Sequence, residues 1–247
     1  MLSFVHEIRS YRVGLALSGG GVRGLAHIGV LKALANHNIK PHVIAGTSVG
    51  SLIGAAFAAG RDWQQIAEMA RSVFWPGLLN GPRLEKFCAA HLPEEFAGLN
   101  LPFAAIATIV SERKALTIVD GHLPSAISAS CAIPGLRRAV EREGVRLLDG
   151  GIACVLPALA CRELGADYVI SSDVWEWSTI LRRVGVGPTT ASSSRLFPSH
   201  YQLAISHTTL LINPSLPVSG YLPGPRAADR MIAAGEEATQ RALRHAA

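Results

Sequence analysis

The chain has no apolar run approaching the ~20 residues of a membrane-spanning helix; Gly, Arg or Asp interrupts every candidate. It has no run of Lys and Arg of the kind that binds nucleic acid, although its formal net charge is +5. That charge fits simple solubility, or attraction to an anionic substrate or an anionic membrane surface. The cysteines Cys88, Cys131, Cys154 and Cys161 form no Cys-x-x-Cys pair and have no histidine at metal-ligand spacing. A disulfide framework and a zinc site are both disfavoured, and buried free thiols are expected. Nothing calls for a metal or a cofactor. Met1 to Arg9 lacks the basic start and apolar core of a secretory leader, so the cytoplasm is the expected compartment. No internal repeat divides the chain. Residues 1–12 read as an N-terminal extension and 13–247 as one domain.

What is present is apolar and periodic. Hydrophobic residues make up 49% of the 247, enough for one α/β domain with a sizeable core. Val13 to Leu17 is a strand-length apolar run that ends in Ser18-Gly19-Gly20-Gly21-Val22-Arg23-Gly24. Leu25, Ile28, Leu31 and Leu34 follow at helical spacing. A second strand, His42 to Ala45, opens after Pro41 and leads into Gly46-Thr47-Ser48-Val49-Gly50. The small apolar run Leu52 to Ala59 then reads as a helix closed by Gly60. This βαβα opening implies parallel strands with a right-handed crossover.

The Gly-x-Ser-x-Gly stretch sits where a strand turns sharply into a helix, the setting of a nucleophile elbow. There the flanking glycines admit close strand–helix approach, and the serine hydroxyl stands at a helix N-terminus that favours negative charge. The alternative is an ordinary tight turn. The glycine loop has three candidate uses. Gly19-x-Gly21-x-x-Gly24 matches a dinucleotide fingerprint, but no Asp or Glu lies between Gly24 and Gly60 to hold a ribose. Gly-Lys-Ser/Thr is absent, which excludes a phosphate-cradling Walker loop. The remaining use is an oxyanion hole of converging backbone N–H groups. Arg23 adds charge there, holds the loop, or is a solvated helix-start residue.

Further strands are expected over Leu101–Val110, Ala115–Val119, Val145–Leu148 and Tyr168–Val174. Helices are expected over Trp63–Val73, Leu84–Leu92, Leu123–Cys131, Pro157–Leu164 and Ala227–Ala246. Phe74 to Pro82 reads as a packed connection, with a mobile lip as the alternative. Trp175 to Pro225 has poor periodicity, and Gly185 to Ser194 reads as a mobile loop. Asp149-Gly150-Gly151 places an acid at the end of a strand, at the sheet edge where α/β sites assemble.

The glycine loop, the Ser48 motif and Asp149-Gly150-Gly151, in that order, closely resemble the patatin-like phospholipase family. Ala129-Ser130-Cys131-Ala132-Ile133-Pro134-Gly135 and Leu164-Gly165-Ala166-Asp167 add to the resemblance, which covers roughly Val13 to Val174. It implies a three-layer α/β/α sandwich with a mostly parallel central sheet. It implies a serine hydrolase acting on lipid carboxylic esters such as phospholipids, lysophospholipids or acylglycerols. Ser48 would be the nucleophile and Asp149 the base. Gly19, Gly20, Gly21 and Arg23 would form the oxyanion site, and Gly24, Gly46, Gly50, Gly150 and Gly151 would support it. Cys154 departs from the family, which often carries Asn there, and Ile109 stands where an Asp is common.

Two rivals remain. The order Ser…Asp…His also fits an esterase triad completed by His200 or His207; a loop and a helix-face histidine are the ordinary readings of these. A non-catalytic lipid-binding regulator would keep the same fold. His27, close to the glycine loop, reads as a packed or capping side chain. Phe74, Trp75, Trp175 and Trp177 are a candidate membrane-contact set, with core or loop packing as the commoner role.

Overall fold

A computed structural model of the chain describes residues 2–72, 81–175, 197–216 and 225–246, together with Gly77. The strands are β1 (Val13–Leu17), β2 (Val43–Thr47), β3 (Phe103–Ile109), β4 (Lys114–Ile118), β5 (Val140–Arg142), β6 (Val145–Asp149), β7 (Tyr168–Ser172) and β8 (Leu210–Ile212), and β1, β2, β3 and β7 are the buried apolar runs among them. The helices are α1 (Leu2–Ile8), α2 (Leu25–Asn36), α3 (Val49–Ala58), α4 (Trp63–Ser72), α5 (Gly81–His91), α6 (Leu123–Ser130), α7 (Ala158–Glu163), α8 (Ser199–Ser206) and α9 (Pro225–His245). The start of α4 is fixed by a reciprocal cap. Gln65 N–H donates to Asp62 Oδ1 at 2.8 Å, and Asp62 N–H donates to Gln65 Oε1 at 3.0 Å.

All eight strands form one sheet, with the path β5-β6-β3-β2-β1-β7-β8 and β4 paired to β3. The β1–β2, β1–β7, β2–β3 and β7–β8 pairings are parallel; β3–β4, β3–β6 and β5–β6 are antiparallel. The sheet is therefore mixed, parallel at its centre and antiparallel toward the β5–β6 side. Side chains alternate between two cores. Leu15, Leu17, Ile44, Phe103 and Ala105 pack with α2, α3, α6 and α9. Ala16, Val43, Ala45, Ala104 and Ile106 pack with α7 and α8 on the other face. Leu15, Leu17 and Ile44 are fully buried, each contributing about 1.5–3 kcal/mol relative to exposure.

Two expectations change here. Residues 2–8, expected as an extension, form helix α1, whose Val5 and Ile8 are buried in the same core as α2. The weakly patterned stretch after Trp175 holds α8 and β8; both are short, so each shows too few turns or alternations for a period to register. Most of Phe74 to Pro82, all of Gly185 to Ser194, and the residues Trp75 and Trp177 lie outside the described residues.

The register on β3 brings the site together. Thr47 of β2 pairs with Ile106, and Asp149 of β6 pairs with the next residue, Ala107. Ala105 and Ala107 both pair with β4 on their other side, so β2 and β6 share one edge of β3. β2 runs parallel to β3 and β6 antiparallel, so their C-terminal ends meet head to head. Thr108 Oγ1 locks this junction by donating to the Asp149 carbonyl at 2.8 Å.

Candidate active site

Ser48 opens α3 with φ 54 and ψ −126, a left-handed conformation that β-carbon-bearing residues avoid. The turn must be this sharp because strand, helix and neighbouring strand touch through backbone. A Cβ on Gly46 would run into the Gly50 carbonyl, and one on Gly50 into the Leu17 carbonyl. The strained residue is gripped on both sides. Its N–H donates to Ser130 Oγ at 2.9 Å, and its carbonyl accepts from Ser51 Oγ at 2.6 Å.

Asp149 is only 8% exposed and Ser48 only 6%. Gly151 N–H donates to Asp149 Oδ1 at 2.8 Å, whereas Oδ2 is buried with no hydrogen bond of good geometry among the described residues. Burial pushes the Asp149 carboxyl above its ordinary pKa. The Ser48 hydroxyl, the Gly151 amide and the Arg137 guanidinium oppose that push more weakly. The Ser48 hydroxyl is thus near enough to stabilise the carboxylate, although no bond of good geometry to Oδ2 is closed in this state. Such contacts commonly tighten only with substrate bound.

Both residues line a cavity of about 420 Å³. Its other walls are Gly19 to Arg23, Gly151, Val155, Ile133, Pro134, Leu136, Ile152 and Trp175. The Gly19 amide is committed, donating to the Val155 carbonyl at 2.9 Å, which corrects the expectation that it serves as an oxyanion donor. The Gly20 and Gly21 amides make no hydrogen bond among the described residues. Arg23 is 7% exposed, and its Nε donates to the Val174 carbonyl at 2.8 Å. It ties the glycine loop to the end of β7, so a solvated Arg23 is ruled out. Gly24 lies against Val49 of α3, where a Cβ would clash; Gly150 lies against the Ile106 carbonyl.

None of the nine histidines, all of them described, lines this cavity. His200 lies in the first turn of α8 rather than in a loop, and His207 lies just past the end of that helix. His27 is packed, as expected. Nε2 faces the Ser18 carbonyl at 2.9 Å and Nδ1 faces Ser172 Oγ at 2.8 Å. A carbonyl only accepts, so Nε2 carries the proton and Nδ1 accepts from Ser172. Burial lowers the His27 pKa to about 4. The cysteines are free, and burial raises Cys131 and Cys161 to about 12 and Cys154 to about 11. The roles of Ser130, Ser51, Leu136, Ile152 and Val155 were not legible beforehand. Only the Ala129–Gly135 resemblance pointed near Ser130.

The fold is an α/β/α sandwich with a strand–turn–helix serine at its centre. A family profile described as patatin-like phospholipase matches residues 15–162, and the chain belongs to that family. An NTE-family protein of Mycobacterium tuberculosis is 37% identical over 176 residues, 66% of this chain and 49% of that protein. Human patatin-like phospholipase domain-containing protein 6 is 34% identical over 181 residues, 66% of this chain and 13% of that protein. The chain thus spans about half of the mycobacterial relative and a small part of the human one. Among solved structures, VipD from Legionella pneumophila superposes with a TM-score of 0.62 at 14% identity, covering 94% of this chain and 66% of that one. Human group IVD cytosolic phospholipase A2 bound to methyl γ-linolenyl fluorophosphonate gives 0.56 at 13% identity, covering 98% and 61%. At these identities the superpositions speak for the fold.

Two outcomes follow from this geometry. Ser48→Gly is expected to be more stable than Ser48→Ala by about 1 kcal/mol, because glycine alone relieves the positive φ; equal denaturation midpoints and slopes would contradict the strain. His27 has a folded-state pKa depressed from 6.5 to about 4. Between those values the unfolded chain takes up a proton that the fold refuses. Stability is therefore expected to fall on acidification through that window, by up to roughly 3 kcal/mol. Urea melts across pH would show a shallower slope in His27→Gln.

Proposed function

We propose that the protein is a serine lipid acyl hydrolase that cleaves carboxylic esters with a Ser48–Asp149 dyad. The observation that carries this is a buried carboxylate with one idle oxygen, its pKa raised, on the wall of the cavity that also holds the strained serine. Family membership supports the substrate class: phospholipids, lysophospholipids or acylglycerols.

In the proposed reaction Asp149 accepts the Ser48 hydroxyl proton as Oγ attacks the acyl carbonyl carbon. A base near pKa 3.9 is feeble, and burial strengthens it. The carbonyl π electrons move onto oxygen. The uncommitted Gly20 and Gly21 amides and the N-terminus of α3 face the developing charge; one such donor is typically worth about 2.7–4 kcal/mol. Collapse expels the alcohol, which takes the proton from Asp149 and leaves an ester on Ser48. Water, deprotonated by Asp149, attacks that ester; the second tetrahedral intermediate collapses, Ser48 Oγ takes the proton back from Asp149, and the fatty acid is released.

The triad alternative lacks support, since His200 and His207 do not line the cavity. A binding-only role does not account for a strained serine facing an unsatisfied acid. Among the described residues, Leu136 and Ile152, at 61% and 42% exposure, are the large apolar residues left open on the cavity wall. They favour work at a lipid surface, with the basic balance of the chain favouring an anionic one.

Assays with p-nitrophenyl esters of graded length beside phospholipid vesicles test the proposal. Ser48→Ala and Asp149→Asn are expected to lose at least ~10³-fold in kcat, while His200→Ala and His207→Ala keep turnover. Loss at a histidine comparable to that at Ser48 would establish the triad instead. Asp149 has a raised folded pKa, so the stability it gives below the ordinary carboxylate range is lost as pH rises. Asp149→Asn is therefore expected to melt higher at pH 7, by about 2–4 °C per kcal/mol regained. Leu136→Asp with Ile152→Asp is expected to lose more activity on vesicles than on a soluble ester, together with vesicle flotation. Equal losses on both substrates would remove the surface role.

A further inference from the structure

The stretch from Ala129 to Pro134, of which Ile133 and Pro134 line the cavity, has no role in the proposed chemistry, yet it is bonded to both reacting residues. Ser130 ends α6 and is fully buried. A serine in a helix ordinarily returns its hydroxyl to the preceding turn. Ser130 Oγ instead accepts the N–H of Ser48, 82 residues away, at 2.9 Å. Two residues on, the Ala132 carbonyl accepts the N–H of Asp149 at 2.9 Å. Cys131, between them, approaches Ser51 Oγ at 4.0 Å, and Ser51 holds the other side of the Ser48 peptide. Arg137 closes the segment onto α6, donating to the Ser128 carbonyl at 3.0 Å and Ser128 Oγ at 2.7 Å.

We propose that Ser130–Ala132 is a yoke that sets the spacing of the nucleophile and its base, with Ser130 the positioning residue for Ser48. This rests on the dyad reading and deepens it. β3 sets the register of the two strand ends, but Ser48 stands one residue beyond the last paired position of β2, so its place relative to Asp149 is fixed only when a further element spans both. One short rigid segment, bonded to the main chain of each, does so. The bond from Ser130 also satisfies the N–H of a residue in a strained conformation, which would otherwise be left buried and unpaired. A dyad works only when oxygen and carboxylate are within hydrogen-bond reach, and misplacement by about 1 Å can cost ~10²-fold.

The test compares wild type with Ser130→Ala and Ser130→Thr. Two readouts are taken: amide hydrogen exchange of the elbow peptide, and kcat and KM on a soluble p-nitrophenyl ester. Ser130→Ala is expected to speed exchange at residues 47–50 and to lower kcat by about 10- to 100-fold with KM nearly unchanged. Ser130→Thr keeps the acceptor and is expected to recover most of both. Unchanged elbow exchange overturns the yoke whatever the activity does. Unchanged kcat with faster exchange overturns the positioning role. A rise in KM that accounts for the whole loss also overturns it. If Ser130→Ala fails to fold, Ser130→Cys replaces it, with a weaker acceptor in the same place and the same readouts. A wild-type protein that turns over no ester fails the dyad reading and the yoke with it, and is recognised before any variant is made.

Discussion

Two strands arriving head to head along one edge of β3 are the constraint on which the site depends. β2 delivers Ser48 from one direction and β6 delivers Asp149 from the other, at consecutive positions of the β3 ladder. Strand pairing fixes such positions to within fractions of a residue, because a slip by one would turn every side chain to the opposite face. A hydroxyl and a carboxylate a hundred residues apart in the chain are thereby held as neighbours by backbone hydrogen bonds. The glycine loop joins them because β1 is the parallel neighbour of β2, so its C-terminal end lies at the same rim.

The site runs against stability at two points, and its surroundings offset the first more fully than the second. The serine backbone is strained, and hydroxyls of Ser130 and Ser51 hold it in place. The carboxylate is desolvated, and among the described residues only Oδ1 has a hydrogen bond of good geometry. Desolvation that is costly to the fold suits the proposed chemistry: it would make a weak base stronger and the nearby dipoles more effective. Arg23, which carries charge into the same region, serves to anchor the glycine loop to the end of β7 through its Nε.

Much of this was legible beforehand. The strand–loop–helix and strand–elbow–helix units, the buried middle strand and the Asp149 position follow from apolar runs and glycines in local sequence. What was not legible is relational. Nothing local in Val145 to Asp149 says that β6 runs antiparallel to β3, and that direction is what turns Asp149 toward Ser48. The commitment of the Gly19 amide to Val155 is likewise invisible, since its acceptor lies 136 residues away. Ser130 looks like one more small residue near a helix end, and its meaning comes from Ser48 across the fold. Helix α1 was missed because seven residues make only two turns, so its buried Val5 and Ile8 leave too short a pattern.

The most direct check on the central claim is a crystal structure of the protein after reaction with a long-chain alkyl fluorophosphonate. The account expects phosphorus bonded to Ser48 Oγ, the phosphonyl oxygen within hydrogen-bond distance of the Gly20 and Gly21 amides, and the alkyl chain running toward Leu136 and Ile152. An adduct on another residue, or a phosphonyl oxygen turned away from the glycine loop with Asp149 out of reach of Ser48 Oγ, would contradict it.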